Sequence, residues 1–65
     1  MPIVQIEMLK GRTADQRRAL AKNVTKAIVD SLGVPPEAVS IIIRDMEHDH
    51  YATAGELRSD RDAKK

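Results

Sequence analysis

Two short apolar runs with strand character stand on either side of one long amphipathic stretch, and that order leaves few folds open to the chain. From Ile3 to Leu9 the residues alternate. Val4, Ile6 and Met8 share one face, and Ile3, Gln5 and Glu7 share the other, which is the period-two pattern of a strand. After Thr13 the apolar residues Leu20, Val24, Ala27, Ile28 and Leu32 recur three or four positions apart, the stripe of a helix covering something on one side. Thr13 and Gln16 make a capping box for its first turn. Gly33 is placed for a left-handed C-cap, and "VPPE" bars continuation. Pro36-Glu37-Ala38 fits one short turn. Val39 to Met46 reads as a second strand, and its Ile41-Ile42-Ile43 triplet, apolar on both faces, predicts cover on both sides. A long helix between two strands predicts a right-handed crossover and a parallel pair.

The chain has 65 residues, which the reading takes as a single domain spanning 1 to 65. Residues Tyr51 to Leu57 predict a short hairpin, and from about 59 to 65 the charged text "SDRDAKK" reads as a frayed tail. A domain this small buries only about 60% of its unfolded surface. With no cysteine, no Phe and no Trp, neither disulfides nor an aromatic core can make up the difference. A lone parallel pair with one helix is not stable in water, so the sequence predicts an obligate homo-oligomer. A net charge of +1 from 11 basic and 10 acidic residues argues against nucleic acid as a partner. No apolar run reaches the ~18 residues of a membrane span and no secretory pattern is visible, so the expected address is the cytoplasm, with no membrane partner. His48-Asp49-His50 invites a metal reading, but no third and fourth ligands stand at standard spacing; the expectation is a polar loop and no metal.

Pro2 raises the chemical question. It can simply begin a strand, where proline is tolerated. If Met1 is trimmed, it instead offers a secondary amine at the strand's tip. Here the residues "PIVQIEMLKGRT", a helix, "AVSIIIRDM" and a closing "GEL" at Gly55-Glu56-Leu57 resemble, in order, spacing and total length, 4-oxalocrotonate tautomerase and its superfamily. The resemblance covers roughly residues 2 to 58. It implies an α/β (α+β) fold, a β-α-β unit with a short C-terminal hairpin, assembled as a homohexamer. It also implies cofactor-free proton transfer on a small keto or enol acid, with Pro2 as general base and acid. By position, Arg12 binds a substrate carboxylate, while Leu9 and Tyr51 line the pocket. The family's second arginine, which gathers the keto oxygen and near carboxylate, is replaced by Ser40. A neutral hydroxyl bond is roughly half as strong as a charged one, so one-carboxylate keto acids are expected to serve at least as well as diacids. Arg44, about 13 Å along the strand from Ser40, is a poor substitute within one chain.

Spacing constrains the assembly further. Pro2 and Arg12 flank an extended strand and lie up to about 30 Å apart in one chain, so they meet on one small substrate only if different subunits supply them. Arg12 adjoins the N-terminus of the helix, where anions are favoured. Arg17 and Arg18, further along, read as a solvated face. Two other readings stay open: a non-catalytic oligomeric small-molecule-binding module, and a hydratase- or decarboxylase-like superfamily member. A hydrolytic dehalogenase is disfavoured, since Leu9 and Thr53 stand near where that branch has an arginine and a glutamate.

Overall fold

The computed structural model describes residues 1 to 63. Strand β1 spans Ile3–Leu9, helix α1 Ala14–Leu32 and strand β2 Ser40–Met46. They are followed by a two-stranded hairpin, β3 (Ala52–Thr53) and β4 (Glu56–Leu57), and a short helix α2 (Arg58–Ala63). Single 3-10 turns occupy Pro36–Ala38 and His48–His50. β1 and β2 pair in parallel with Ile3 opposite Ser40 and Leu9 opposite Met46, and β3 and β4 pair antiparallel. The β-α-β unit with a closing hairpin thus follows the sequence reading.

Local chemistry accounts for the boundaries of α1. The Thr13 hydroxyl accepts from the Gln16 amide at 3.1 Å, and the Gln16 side chain accepts from the Thr13 amide at 2.9 Å, so two orphan donors are satisfied. At the far end Gly33 takes φ 71°, and its amide donates to Val29 O, a left-handed cap that a Cβ would strain. The hairpin loop is tighter still. Ala54 at φ 54° and Gly55 at φ 81° put two positive φ values in a two-residue connection, the type I′ arrangement that matches strand twist.

The register settles what lies on each side of the sheet. Val4, Ile6 and Met8 pair with Ile41, Ile43 and Asp45 and, apart from Asp45, are partly shielded. Arg17 of α1 donates to Asp45 at 3.0 Å, which places the helix over this face. The shielded stripe of α1 runs through Leu20, Ala21, Val24, Thr25, Ile28 and Val29. Ala27 and Leu32, read from the sequence as part of it, are exposed instead; Leu32, 63% exposed, is the last residue of α1. The opposite sheet face carries Ile3, Gln5, Glu7, Ile42 and Arg44, all of them exposed; Ile3 is 63% exposed.

No side chain among the described residues is fully buried. The radius of gyration is 15.3 Å, against about 11 Å for a compact domain of this length. The accessible surface of 4973 Å² exceeds the roughly 4100 Å² typical of a folded monomer of this mass. One correction to the sequence reading falls at the C-terminus. Residues 59 to 63 are not a frayed tail but part of α2, because Asp62 accepts from His48 at 3.0 Å and from Arg58 at 3.1 Å. Residues 64 and 65 of that expected tail lie outside the described residues.

The backbone signs give a paired prediction. Ala54→Gly removes the cost of a left-handed alanine and raises stability by about 0.5–1 kcal/mol, whereas Gly33→Ala introduces that cost and lowers it by about 1 kcal/mol. Urea denaturation at one fixed protomer concentration measures both, and shifts of the same sign refute the assignment.

Candidate active site

The candidate residues from the sequence fall into two groups at opposite ends of the sheet. Pro2 and Ser40 are at the N-terminal end of the strands, where the Ser40 amide donates to Pro2 O at 3.0 Å. That bond starts the parallel ladder and fixes the direction in which the chain leaves Pro2 toward its nitrogen. Pro2 is half-buried and Met1 is 90% exposed.

Leu9 and Tyr51 are brought together at the other end. They line a cavity of about 280 Å³ with Glu7, Met8, Met46 and Arg58. Four of these six residues are apolar or aromatic, as is usual of small-molecule sites. The cavity lies beyond the C-terminal ends of two parallel strands, where open α/β sheets bind their ligands. Tyr51 is held there through its carbonyl, which accepts from the Arg58 amide at 2.8 Å; this bond joins the start of α2 to the start of the hairpin.

Arg12 is not among the cavity's lining residues. It sits exposed in the turn from β1 to α1, at the cavity's end of the sheet. Its backbone is fixed by a residue that the sequence reading left on a solvated face. Arg17 Nη1 donates to Arg12 O at 2.9 Å and to Asp45 at 3.0 Å, so Arg17 bridges the turn, the helix and β2. Arg18 does fit the solvated reading, pairing only with Asp15 at 2.6 Å on an exposed surface. Arg44 is engaged by Glu7 at 3.0 Å on the open sheet face.

Arg58 was missed because it falls where the sequence turns to mixed charge, with no periodicity to mark a helix. The position just after "GEL" was the only available signal. Its neighbours form a chain of contacts. Asp62 takes Arg58 Nε on Oδ1 and the Nδ1 proton of His48 on Oδ2. These two hydrogen bonds, that of His48 first and that of Arg58 second, hold the Asp62 carboxyl below the usual aspartate range. Nearby, Lys10 donates to Glu47 at 2.8 Å. That bond raises the Lys10 ammonium and lowers the Glu47 carboxyl from their usual values, so the pair persists between the acid range and the alkaline range. As an exposed pair it contributes little stability. His48 is thus engaged in holding α2, and His50 lies 3.5 Å from Asp49. Among the described residues no group of three His, Cys, Asp or Glu side chains is arranged to hold a metal ion, and no helix is long and apolar enough to cross a membrane.

The protomer is a minimal β-α-β unit with a largely apolar cavity at the C-terminal ends of its strands and a proline at their start. Comparisons with known proteins specify it further. The tautomerase enzyme family model matches residues 2–61. The 2-hydroxymuconate tautomerase of Bacillus subtilis (strain 168) is 43% identical over 60 residues, covering 92% of this chain and 97% of that protein. Among solved structures, one of the 4-oxalocrotonate tautomerase isozymes of Methylibium petroleiphilum superposes with a TM-score of 0.95 at 36% identity, covering 98% of this chain and 100% of that one. A chain of the heterohexameric 4-oxalocrotonate tautomerase of Chloroflexus aurantiacus gives a TM-score of 0.86 at 29% identity, covering 91% and 95%. The chain belongs to the tautomerase family and is a tautomerase, an isomerase of the keto–enol type.

Acid should loosen α2 before the rest of the fold. Because the Asp62 carboxyl is held low, the folded state binds fewer protons there than the unfolded one. Its stabilisation is present above the ordinary aspartate range and lost as pH falls through the depressed folded value. The stability gap between the wild type and Asp62→Asn, clear at neutral pH, therefore closes on acidification. A gap that stays constant down to acid denaturation refutes the role of Asp62.

Proposed function

We propose that the chain acts as a homohexamer on a small enolisable keto acid, with the trimmed amino-terminal Pro2 as the proton carrier. The neutral Pro2 amine takes a proton from the hydroxyl of an enol or dienol, whose double bond shifts into conjugation as the carbonyl forms. The resulting ammonium returns that proton to carbon, so an O–H bond breaks, a C–H bond forms, and the amine is regenerated. Leu9 and Tyr51 provide an apolar wall that disfavours the charged amine and keeps it a competent base. Arg12 holds a substrate carboxylate, and the Ser40 hydroxyl offers one neutral hydrogen bond beside Pro2.

One observation carries this reading: Leu9 and Tyr51 build their cavity about 23 Å along β1 from Pro2. A working site needs both, so it joins the Pro2 end of one protomer to the cavity end of another. The open sheet face, with Ile3 and Ile42 exposed by 63% and 39%, supports the same assembly, since self-association would cover it. The heterohexameric relative is in keeping with a six-chain assembly.

Two predictions test this reading. Sedimentation at micromolar protomer concentration should give one species of six chains with no folded monomer; a stable folded monomer overturns the shared site. For the chemistry, activity of the Met1-free protein should rise with pH through a single ionisation of the amine. Pro2→Ala should lose about 10²–10⁴-fold, the usual contribution of acid–base catalysis. A form retaining Met1 should do worse, because an amide nitrogen is no base. Similar rates for all three proteins would favour the binding-module reading instead.

A further inference from the structure

We infer that Arg17 is a positioning residue of the proposed site, acting through the Arg12 carbonyl to aim the Arg12 guanidinium at the substrate. The inference rests on the proposed role of Arg12. It moves Arg17 from the solvated face, where the sequence reading left it, into the working structure.

The turn between β1 and α1 shows why Arg12 needs such a brace. Arg12 is exposed there, and a long free side chain loses rotamer entropy when it engages a ligand. The backbone on either side is anchored. The Lys10 amide donates to Met46 O at 2.9 Å, and Thr13 is held in the capping box with Gln16. Arg17 closes the gap between these anchors. Its Nη1 donates to Arg12 O at 2.9 Å and to Asp45 Oδ2 at 3.0 Å. Holding that carbonyl fixes the peptide plane between Arg12 and Thr13, and the Arg12 side chain leaves the adjoining Cα. Arg17 is itself restrained, since its amide donates to Thr13 O at 3.1 Å and its side chain is only 37% exposed.

Asp45 supplies the frame of reference. It precedes Met46 on β2 and stands opposite Met8 on β1, and both methionines line the cavity. One guanidinium nitrogen therefore ties the Arg12 turn to the two strands that build the cavity. Arg18 makes no such link, because its partner is Asp15 on the same helix and its side chain is 75% exposed. A binding group already held in its productive direction forfeits less entropy when the ligand arrives. Loss of Arg17 leaves the Arg12 charge in place and loosens its aim.

A double-mutant cycle tests this, with phenylenolpyruvate, an enol carrying one carboxylate, as the probe and the Met1-free protein as the enzyme. Arg12→Ala should raise KM about 10- to 100-fold, the range of a charge-assisted contact. Arg17→Gln should raise KM about 3- to 10-fold with kcat within about twofold, a fraction of that contact. In the Arg12→Ala background Arg17→Gln should cost nothing further, since no guanidinium is left to aim. A merely structural role, or a general loss of positive charge, would lower activity by the same factor in both backgrounds. Arg17→Lys, whose ammonium can donate to both oxygens, should recover most of the affinity. Arg18→Gln, which removes an equal charge one residue along α1, should match the wild type. Asp45→Asn weakens the same bracket from the strand side and should raise KM with the same dependence on Arg12. Circular dichroism checks each fold, and Asp45→Asn decides the matter if Arg17→Gln does not fold. An unchanged KM in Arg17→Gln, or a loss that multiplies with that of Arg12→Ala, overturns the inference alone. Absence of any effect of Arg12→Ala removes the proposed role of Arg12, and the inference falls with it.

Discussion

One helix can cover only one face of a two-stranded sheet, and the rest of this protein follows from that limit. The parallel pairing of β1 and β2 requires a crossover, and α1 provides it. Arg17 on Asp45 places it over Val4, Ile6, Met8 and their partners. The other face keeps Ile3 and Ile42 in contact with solvent in the isolated protomer. Burial of apolar area supplies most folding free energy, and with no fully buried side chain among the described residues the protomer has little of it alone. The open face therefore bears on stability as well as on where a site can form.

The candidate site depends on the same sheet. A parallel pair gathers the C-terminal ends of both strands at one edge, and the connections leaving them meet there. Leu9 ends β1, Met46 ends β2, and Tyr51 arrives on the segment that follows. The hairpin and α2 lock this edge. The amide of Lys10 donates to Met46 O, and that of Arg58 to Tyr51 O. Side-chain pairs add position more than stability here, because all are at least partly exposed. Their contribution is orientation: Arg17 sets the Arg12 turn, and Asp62 sets Arg58.

The errors of sequence reading have physical causes. A run such as "RSDRDAKK" carries no apolar period, so nothing in it separates a docked helix from a solvated tail. α2 exists because Asp62 meets His48, fourteen residues earlier and across the hairpin, a contact that no local pattern encodes. Arg17 looked solvated because its partners are a backbone carbonyl in the preceding turn and Asp45 on a strand far along the chain. Leu32 is exposed although it stands one turn past Ile28 on the stripe, because α1 ends there.

What the sequence determined by itself is what local chemistry and periodicity encode. Alternation in Ile3 to Leu9 set a strand and its inner face. Thr13, Gln16 and Gly33 set both ends of the helix, and the length of the intervening segment set the parallel crossover. The order and spacing of Pro2, Arg12 and the closing Gly55-Glu56-Leu57 were enough to point to the tautomerase family. Tertiary structure alone decided which of the candidate residues meet. It put Leu9 with Tyr51, kept Pro2 and Ser40 at the far end, left Arg12 on the turn, and brought Arg58 into the cavity. The reason is that meeting in space is a property of the pairing of β1 with β2 and of the fold-back of the hairpin. Those are long-range contacts, and their partners are chosen by packing and not by any neighbour in the chain.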